Sequence, residues 1–204
     1  TAAVRALGLE TLPWTQGLRQ WRARVQSLRA WMPELCLPAL SDAALLATLE
    51  QWLSPAFFGK TRLDALASGE LSAALQTLLE RDALRHVERL APARITVPSG
   101  MTRPIDYAVD AAGAPAPPVL AVKLQELFGL ADTPCIADGR VPLLLHLLSP
   151  AGRPVQVTRD LGSFWARTWP EVRREMKGRY PKHPWPEDPW NAVATHRVKR
   201  RGTE

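Results

Sequence analysis

The sequence is poor in cysteine and contains no long apolar run. Cys36 and Cys135 are its 2 cysteines, and neither belongs to a C-x-x-C pair, so a zinc or redox site is not supported and we expect two reduced, packed thiols. No segment approaches the roughly 18–20 apolar residues that cross a bilayer, and no signal peptide opens the chain. These absences favour a cytoplasmic protein.

Patterns of known catalytic chemistry are absent as well. The 4 histidines have no metal-ligand spacing, and neither G-x-S-x-G nor H-E-x-x-H occurs. Residues 54–61 (SPAFFGKT) resemble the phosphate-binding pattern G-x-x-x-x-G-K-[ST], but Ser54 replaces the first glycine and the segment follows an amphipathic helix, which favours a turn between helices. The sequence predicts no catalytic, metal or cofactor-binding residue here, and enzymatic activity of this chain alone is left open.

Excess positive charge is confined to the last quarter of the chain. Residues 1–152 hold 14 Lys and Arg against 14 Asp and Glu, whereas residues 153–204 hold 12 against 6. A basic region of this kind attracts the phosphate backbone of nucleic acid. It would also suit an acidic partner protein or a solvated surface, so charge alone leaves these alternatives open.

Apolar spacing predicts a helical module over residues 1–92. Apolar side chains recur at helical spacing from Trp14 to Met32, before Pro33 ends the helix. The arginines that fall mostly off this stripe are expected to face solvent: Arg19, Arg22, Arg24 and Arg29. A second helix runs from a cap at Ser41 or Asp42 to Leu53. Two further helices are predicted at about 70–79 and 81–90.

The pattern changes to strands over residues 93–160. The five apolar or β-branched runs are 95–97, 104–109, 119–124, 141–148 and 154–159. A short helix at 124–130 separates the third from the fourth, and the turn at 149–152 joins the last two. This is the element order of an OB-fold, although other small barrels share it. The sequence therefore predicts an α+β chain with an OB-like five-stranded barrel, whose loops 98–102 and 149–152 would contact a single strand.

Residues 161–204 predict a C-terminal helix with a Pro-rich basic extension. Thr168 and Glu171 have the spacing of a capping box, and Gly178 is a natural helix stop. One face of the helix carries large apolar side chains that we expect to pack rather than to stack on bases: Trp165, Trp169, Val172 and Met176. Residues 181–190, here called the strap, hold 4 prolines and the expected anchors Trp185 and Trp190. A disordered basic tail is predicted at 197–201.

Three segments resemble the HrpB family of bacterial DEAH-type ATP-dependent helicases. They are PVLAVKLQELFGL (118–130), GRVPLLLHLLSPAGRPVQVTRDL (139–161) and LGSFWARTWPEVRREMKGRYPKHPWPEDP (161–189). The resemblance is dense from about 94 to 190 and weaker in the helical half. It implies ATP-driven unwinding or remodelling of nucleic acid, RNA above all, in the bacterial cytoplasm.

The resemblance also implies that the catalytic machinery lies elsewhere. In such helicases two motor domains carry the phosphate-binding loop, the DEAH box and the arginine fingers, and none of these motifs occurs in this sequence. ATP and Mg²⁺ are therefore expected in motor domains upstream of Thr1, and the chain is expected to be a piece of a longer protein. A helical module and an OB-fold follow the motors of DEAH-type helicases and help to enclose the single strand.

We therefore expect an accessory region that guides a single strand and docks on motor domains of the same polypeptide. Its expected divisions are the helical module (1–92), the barrel (93–160) and the basic helix with strap and tail (161–204). The predicted phosphate contacts, which would not select sequence, are Arg103, Arg153, Arg159, Arg167, Arg173, Arg174, Lys177, Arg179 and Lys182. The alternatives are a module that recruits an acidic partner protein and one that only braces the motors.

Overall fold

A computed structural model describes residues 2–60, 62–110 and 113–198 of the chain. Its mixture of helices and sheet confirms the α+β class. Spatial clustering divides the chain into two compact units, one of Thr1–Ala93 with Tyr107–Ala116 and one of Arg94–Asp106 with Pro117–Glu204. The three-part domain division at residues 92 and 160 stays a prediction.

The first unit is helical. Its helices are α1 (Ala2–Leu7), α2 (Gln16–Trp31), α3 (Asp42–Ala47), α4 (Leu49–Leu53), α5 (Ser68–Gln76) and α6 (Arg81–Leu90). The long helix α2 begins because the Thr15 side chain accepts a hydrogen bond from the Leu18 N–H, and it ends before Pro33. Its predicted apolar stripe is buried from Leu18 to Met32. The second predicted helix is interrupted at Thr48 and forms α3 and α4.

One arginine of α2 is buried, so the expectation that it faces solvent is wrong. The Arg24 Nε donates to the Ala91 carbonyl at 2.5 Å, and its Nη2 donates to the Val87 carbonyl at 3.3 Å. The same Nη2 lies 2.9 Å from a carboxylate oxygen of Glu88. Carbonyls of the last helical turn have no partner within their own helix, so a buried cation stabilises the end of α6 there.

The second unit contains an open five-stranded sheet. Its strands are β1 (Arg94–Thr96), β2 (Thr102–Asp106), β3 (Val119–Lys123), β4 (Cys135–Ile136), β5 (Val141–Pro142), β6 (Leu144–Leu148) and β7 (Pro154–Thr158). Five of them pair in the order β1-β2-β3-β6-β7. The central pair β3 and β6 is parallel, with Leu120 opposite Leu145, and the other neighbours are antiparallel. The short strands β4 and β5 pair separately, which the sequence did not predict.

The predicted OB-like barrel is not confirmed, because the sheet is not closed. Within the described residues, β1 pairs with β2 alone and β7 with β6 alone. Strand β7 begins with Pro154, which has no N–H to donate, and its register shifts beside Leu148. Both features are typical of an edge strand. The predicted turn before β7 is confirmed, since the Gly152 N–H donates to the Ser149 carbonyl at 2.9 Å.

A continuous helical segment follows β7. It comprises α7 (Leu161–Ser163), a π-helical turn (Phe164–Thr168) and α8 (Trp169–Arg179). It begins at Asp160, whose carboxylate accepts from the Ser163 N–H at 2.8 Å. Thr168 has helical backbone angles and makes no capping bond, so the capping box predicted there is wrong. The predicted stop at Gly178 is also wrong, because α8 continues to Arg179.

The tryptophans of this segment pack, as predicted. Trp165 and Trp169 are buried with their rings edge-to-face at 5.3 Å, and Trp185 of the strap is buried as well. The Trp169 indole N–H donates to the Pro186 carbonyl at 3.1 Å, and the Trp185 indole N–H donates to the Tyr180 carbonyl at 2.8 Å. These bonds fasten the strap to α8.

Other expectations have mixed outcomes. Cys36 and Cys135 are both exposed, so the expectation of packed thiols is wrong. Residues 199–201 of the predicted basic tail lie outside the described residues.

Where the structure describes the chain, no helix has the length and apolar character to span a bilayer. Those same residues contain no group of three or more His, Cys, Asp or Glu side chains arranged to hold a metal ion.

Candidate nucleic-acid interface

Strand β7 and the helical segment after it position most of the predicted basic residues. Arg153 precedes β7 and Arg159 follows it, and both are exposed. The helical segment then returns to the turn before β7, where the Tyr180 hydroxyl lies 3.3 Å from the Ser149 hydroxyl. At about 1.5 Å per residue this segment extends roughly 28 Å. The return brings Arg153 towards the C-terminal end of α8, which carries Arg179.

The central feature of this surface is a depression of about 680 Å³ on α8. Its lining residues are Pro170, Arg173, Arg174, Lys177, Gly178 and Glu187. Arg174 and Lys177 are exposed and three residues apart, so they share one face of the helix. Neither side chain has a hydrogen-bonding or ion-pairing partner in the part of the chain that the structure describes. Both charges are therefore available to an external anion.

Arg173 lines the same depression but has internal partners. Its Nε donates to the Trp185 carbonyl at 2.9 Å, and its Nη2 donates to a Glu187 carboxylate oxygen at 2.9 Å. Its side chain is half-buried while that of Glu187 is exposed. Arg173 thus holds the strap against α8, and only part of its charge faces the depression.

Arg103 lies on β2, outside the helical segment. Its guanidinium forms a two-pronged pair with the carboxylate of Glu126, whose side chain is completely buried. The hydrogen bond to Glu126 raises the pKa of Arg103 above its ordinary value, against the opposing effect of burial. A buried carboxylate needs such a partner, so the Arg103 charge is committed inside the unit.

The remaining predicted cations differ in how far their charge is offset. Arg179 lies 3.2 Å from Glu175 on the exposed side of α8. Arg167 faces Asp160, whose pKa is lowered by hydrogen bonds from Ser163 and further by the charge of Arg167. Three exposed side chains have no such partner among the described residues: Arg153, Arg159 and Lys182.

The strap contributes a histidine that the sequence did not single out as part of this region. The His183 Nδ1 lies 3.0 Å from the Gln125 side-chain nitrogen, and its ring packs near Tyr180 and Trp185. Burial lowers the pKa of His183 below its ordinary value, and the charge of Lys123 lowers it further. Both effects favour the neutral form of His183, so it adds little to the positive charge of this surface. In the sequence, only its position between prolines of the strap indicated that His183 lies in this region.

Comparisons with known proteins agree with the resemblance seen in the sequence. The family model HrpB_C, described as ATP-dependent helicase C-terminal, matches residues 52–189. The ATP-dependent RNA helicase HrpB of Escherichia coli strain K12 is 47% identical over 197 residues, which cover 97% of this chain and 24% of that protein. The chain thus spans about a quarter of the length of this relative.

Two crystal structures are similar to this chain. That of the E. coli DExH-box NTPase HrpB has a TM-score of 0.88 at 46% identity, covering 97% of this chain and 24% of that one. That of the Escherichia coli DEAH/RHA helicase HrpB has a TM-score of 0.74 at 44% identity, covering 90% and 23%.

Proposed function

This chain belongs to the HrpB family of ATP-dependent helicases as part of their C-terminal region, and on that premise we propose that it binds single-stranded nucleic acid through the exposed cations of α8. It guides the strand relative to motor domains of the same polypeptide, and the first unit docks on those domains. RNA is the proposed substrate because the similar E. coli protein is named an RNA helicase. The proposal places ATP and Mg²⁺ in the motor domains and the whole protein in the cytoplasm.

The observation that carries this proposal is the depression with the unpartnered charges of Arg174 and Lys177. Cations without internal partners at a surface depression can release counterions from a phosphate backbone, which is the main source of affinity in sequence-independent binding. Arg153 and Lys182 extend the same basic surface. Because Trp165, Trp169 and Trp185 are buried, the proposed contacts are to phosphates rather than stacked bases.

A second candidate function is docking on protein. Beyond α8 the chain exposes three large apolar side chains, Trp190 (40%), Val193 (88%) and Val198 (53%). Apolar groups exposed in one short segment favour a protein contact over a phosphate contact. In this alternative residues 190–198, from the end of the strap onwards, dock on the motor domains or on a partner protein.

The test is binding of labelled single-stranded RNA, and of its DNA counterpart, over a salt series. Wild type is compared with the double variant Arg174→Ala/Lys177→Ala. Each phosphate contact contributes a slope of about 0.7 in the logarithm of affinity against the logarithm of salt concentration for single strands. Loss of two contacts is expected to reduce the slope by about 1.4. Arg173 stays unchanged because it anchors the strap.

The matched control removes two arginines from the first unit, Arg62→Ala/Arg85→Ala. This control removes two positive charges, as the α8 double variant does. Both arginines are exposed, and they pair with the nearby carboxylates of Asp64 and Asp82. The control is expected to retain the wild-type slope. Equal slopes for all three proteins, or no binding by folded wild type at low salt, would contradict phosphate binding by α8 and favour docking.

A further inference from the structure

The first unit contains a polar cleft that the basic surface does not explain. Two adjoining cavities of about 340 and 90 Å³ lie between α2, the start of α3, residues 107–110 and Gly113. The two cavities share Gln26, Ser41 and Gly113. These residues define what is here called the α2 cleft.

One glutamine of α2 shows how an amide is used along this cleft. The Gln20 side-chain nitrogen donates to the Tyr107 carbonyl at 3.1 Å, and its side-chain oxygen accepts from the Tyr107 N–H at 2.9 Å. The Gln20 amide thus pairs with one donor and one acceptor of the same residue, the N–H and the carbonyl of Tyr107. Both its nitrogen and its oxygen are bonded, so Gln20 anchors the edge of the cleft.

Gln26, further along α2, has no equivalent partner. Its side chain lines both cavities and only 7% of the residue is exposed. In the described ranges, 2–60, 62–110 and 113–198, its amide makes no hydrogen bond. A Cβ on Gly113 would stand 3.2 Å from the Gln26 Oε1, and Gly113 has a φ of +84°. Glycine therefore lets the backbone approach this amide closely. The amide is unpaired and opens into the cavity, so a ligand that enters the cleft can bond to it.

Two ion pairs lie at the cleft, and its other charged lining residues, Asp110 and Arg29, bond to the Ala114 N–H and to the Leu37 carbonyl. Arg19 donates twice to Glu10, at 2.9 and 2.6 Å, and Arg22 lies 2.6 Å from Asp42. The hydrogen bond from Arg19 lowers the pKa of Glu10, so this pair remains ionised at neutral pH. The lining thus carries three cations against three carboxylates, so the cleft suits an uncharged ligand, and the Gln26 amide is the group available to recognise it.

We propose that the α2 cleft binds an adenine base through Gln26. The Gln26 Oε1 accepts from the exocyclic N6 amino group, and its Nε2 donates to N7. This pairing matches the adjacent donor and acceptor that adenine presents on one edge, and a glutamine amide is the side chain that reads this edge in two bonds. Bases freed from a helix are recognised on such edges. Where the base belongs to a bound strand, the inference rests on the proposed function.

The first arm of the test uses nucleosides alone. Adenosine, 7-deazaadenosine and uridine are titrated into the whole chain, and binding is measured by calorimetry. Adenosine is expected to bind roughly tenfold or more tightly than 7-deazaadenosine, which lacks the N7 acceptor. The substitution Gln26→Leu keeps the size of the side chain and should abolish this difference. Gln26→Glu, which lacks the amide donor, should do the same and guards against misfolding of the leucine variant.

The second arm compares oligo(A) with oligo(U) of equal length. A wild-type preference for oligo(A) that disappears in Gln26→Leu supports a base within a bound strand. Adenosine binding without a preference between strands supports a free nucleoside or nucleotide as the ligand. Equal or absent binding of adenosine and 7-deazaadenosine by folded wild type overturns the inference. Failure of both strands to bind at low salt overturns the role of α8 and leaves the nucleoside result intact.

Discussion

Arg173 and Arg174 are adjacent on α8 but have different surroundings. Arg173 bonds to the Trp185 carbonyl and to Glu187, whereas Arg174 faces the depression. We expect Arg173→Ala to lower the free energy of unfolding by about 1–3 kcal/mol, because hydrogen bonds from a charged group are lost and a half-buried carbonyl is left unpaired. Arg174→Ala should change it by less than about 0.5 kcal/mol. Urea unfolding followed by tryptophan fluorescence measures both.

The two variants act as controls for each other, since each removes one arginine from the same helix turn. Arg174→Ala should weaken nucleic-acid binding while the free energy of unfolding stays close to that of wild type. Equal stability losses for both variants would contradict the anchoring role assigned to Arg173.

At the scale of single residues, the sequence predicts burial better than pairing. The packing of Trp165 and Trp169 followed from helical spacing, a local property. The bond between Arg103 and Glu126 joins residues 23 positions apart, and the bond between Arg24 and Ala91 joins residues 67 apart. No local pattern distinguishes an arginine that bonds to a distant part of the chain from one that faces solvent. The sequence therefore predicts Arg103 as a phosphate contact together with the exposed cations.

At the scale of elements, the start of the C-terminal helix can be tested by two substitutions. Asp160→Ala removes the side chain that caps the first turn, and Thr168→Ala removes one that caps nothing. We expect Asp160→Ala to lower the melting temperature at pH 7 and Thr168→Ala to change stability by less than about 0.5 kcal/mol. Thermal melts followed by circular dichroism over a pH series would measure both effects.

The contribution of Asp160 to folding stability depends on pH with a definite sign. Hydrogen bonds from Ser163 lower the pKa of Asp160 in the folded chain, so its contribution is fully present above the unfolded pKa of about 3.9. That contribution is lost as the pH falls through the lower folded pKa. The gap between wild type and Asp160→Ala should therefore narrow only below about pH 4. A larger effect from Thr168→Ala would instead support the capping box that the sequence predicted.

Helices and strands were largely predictable because their periodicity is local. The boundaries of the helices and the pairing of the strands were not. The π-helical turn carries the helix through Thr168, so a valid capping pattern lies inside a helix rather than at its start. The β-runs were found, but spacing along the chain does not reveal which strands pair. The parallel contact of β3 with β6 and the proline at the start of β7 leave the sheet open.

At the scale of the whole molecule, charge is distributed unevenly along the chain, and this predicts where a strand lies. Residues 1–152 are balanced, with 14 cationic against 14 acidic residues, and residues 153–204 hold 12 against 6. Oligo(U) carrying 4-thiouridine should therefore crosslink mainly within residues 153–182, identified by mass spectrometry of the digested chain. Uridine is chosen because it lacks the adenine edge proposed to pair with Gln26. The variant Arg174→Ala/Lys177→Ala should lower the crosslinking yield.

The location of these crosslinks discriminates between the two candidate functions. In the control Arg62→Ala/Arg85→Ala the yield should stay at the wild-type level, because those arginines are already paired with carboxylates. Raising the salt concentration should reduce the yield steeply, since each phosphate contact releases counterions. Crosslinks that persist at high salt, or that concentrate beside Trp190 and Val193, would mean that α8 does not hold the backbone. A folded chain that gives no crosslinks even at low salt would favour the protein contact, with residues 190–198 contributing its apolar part.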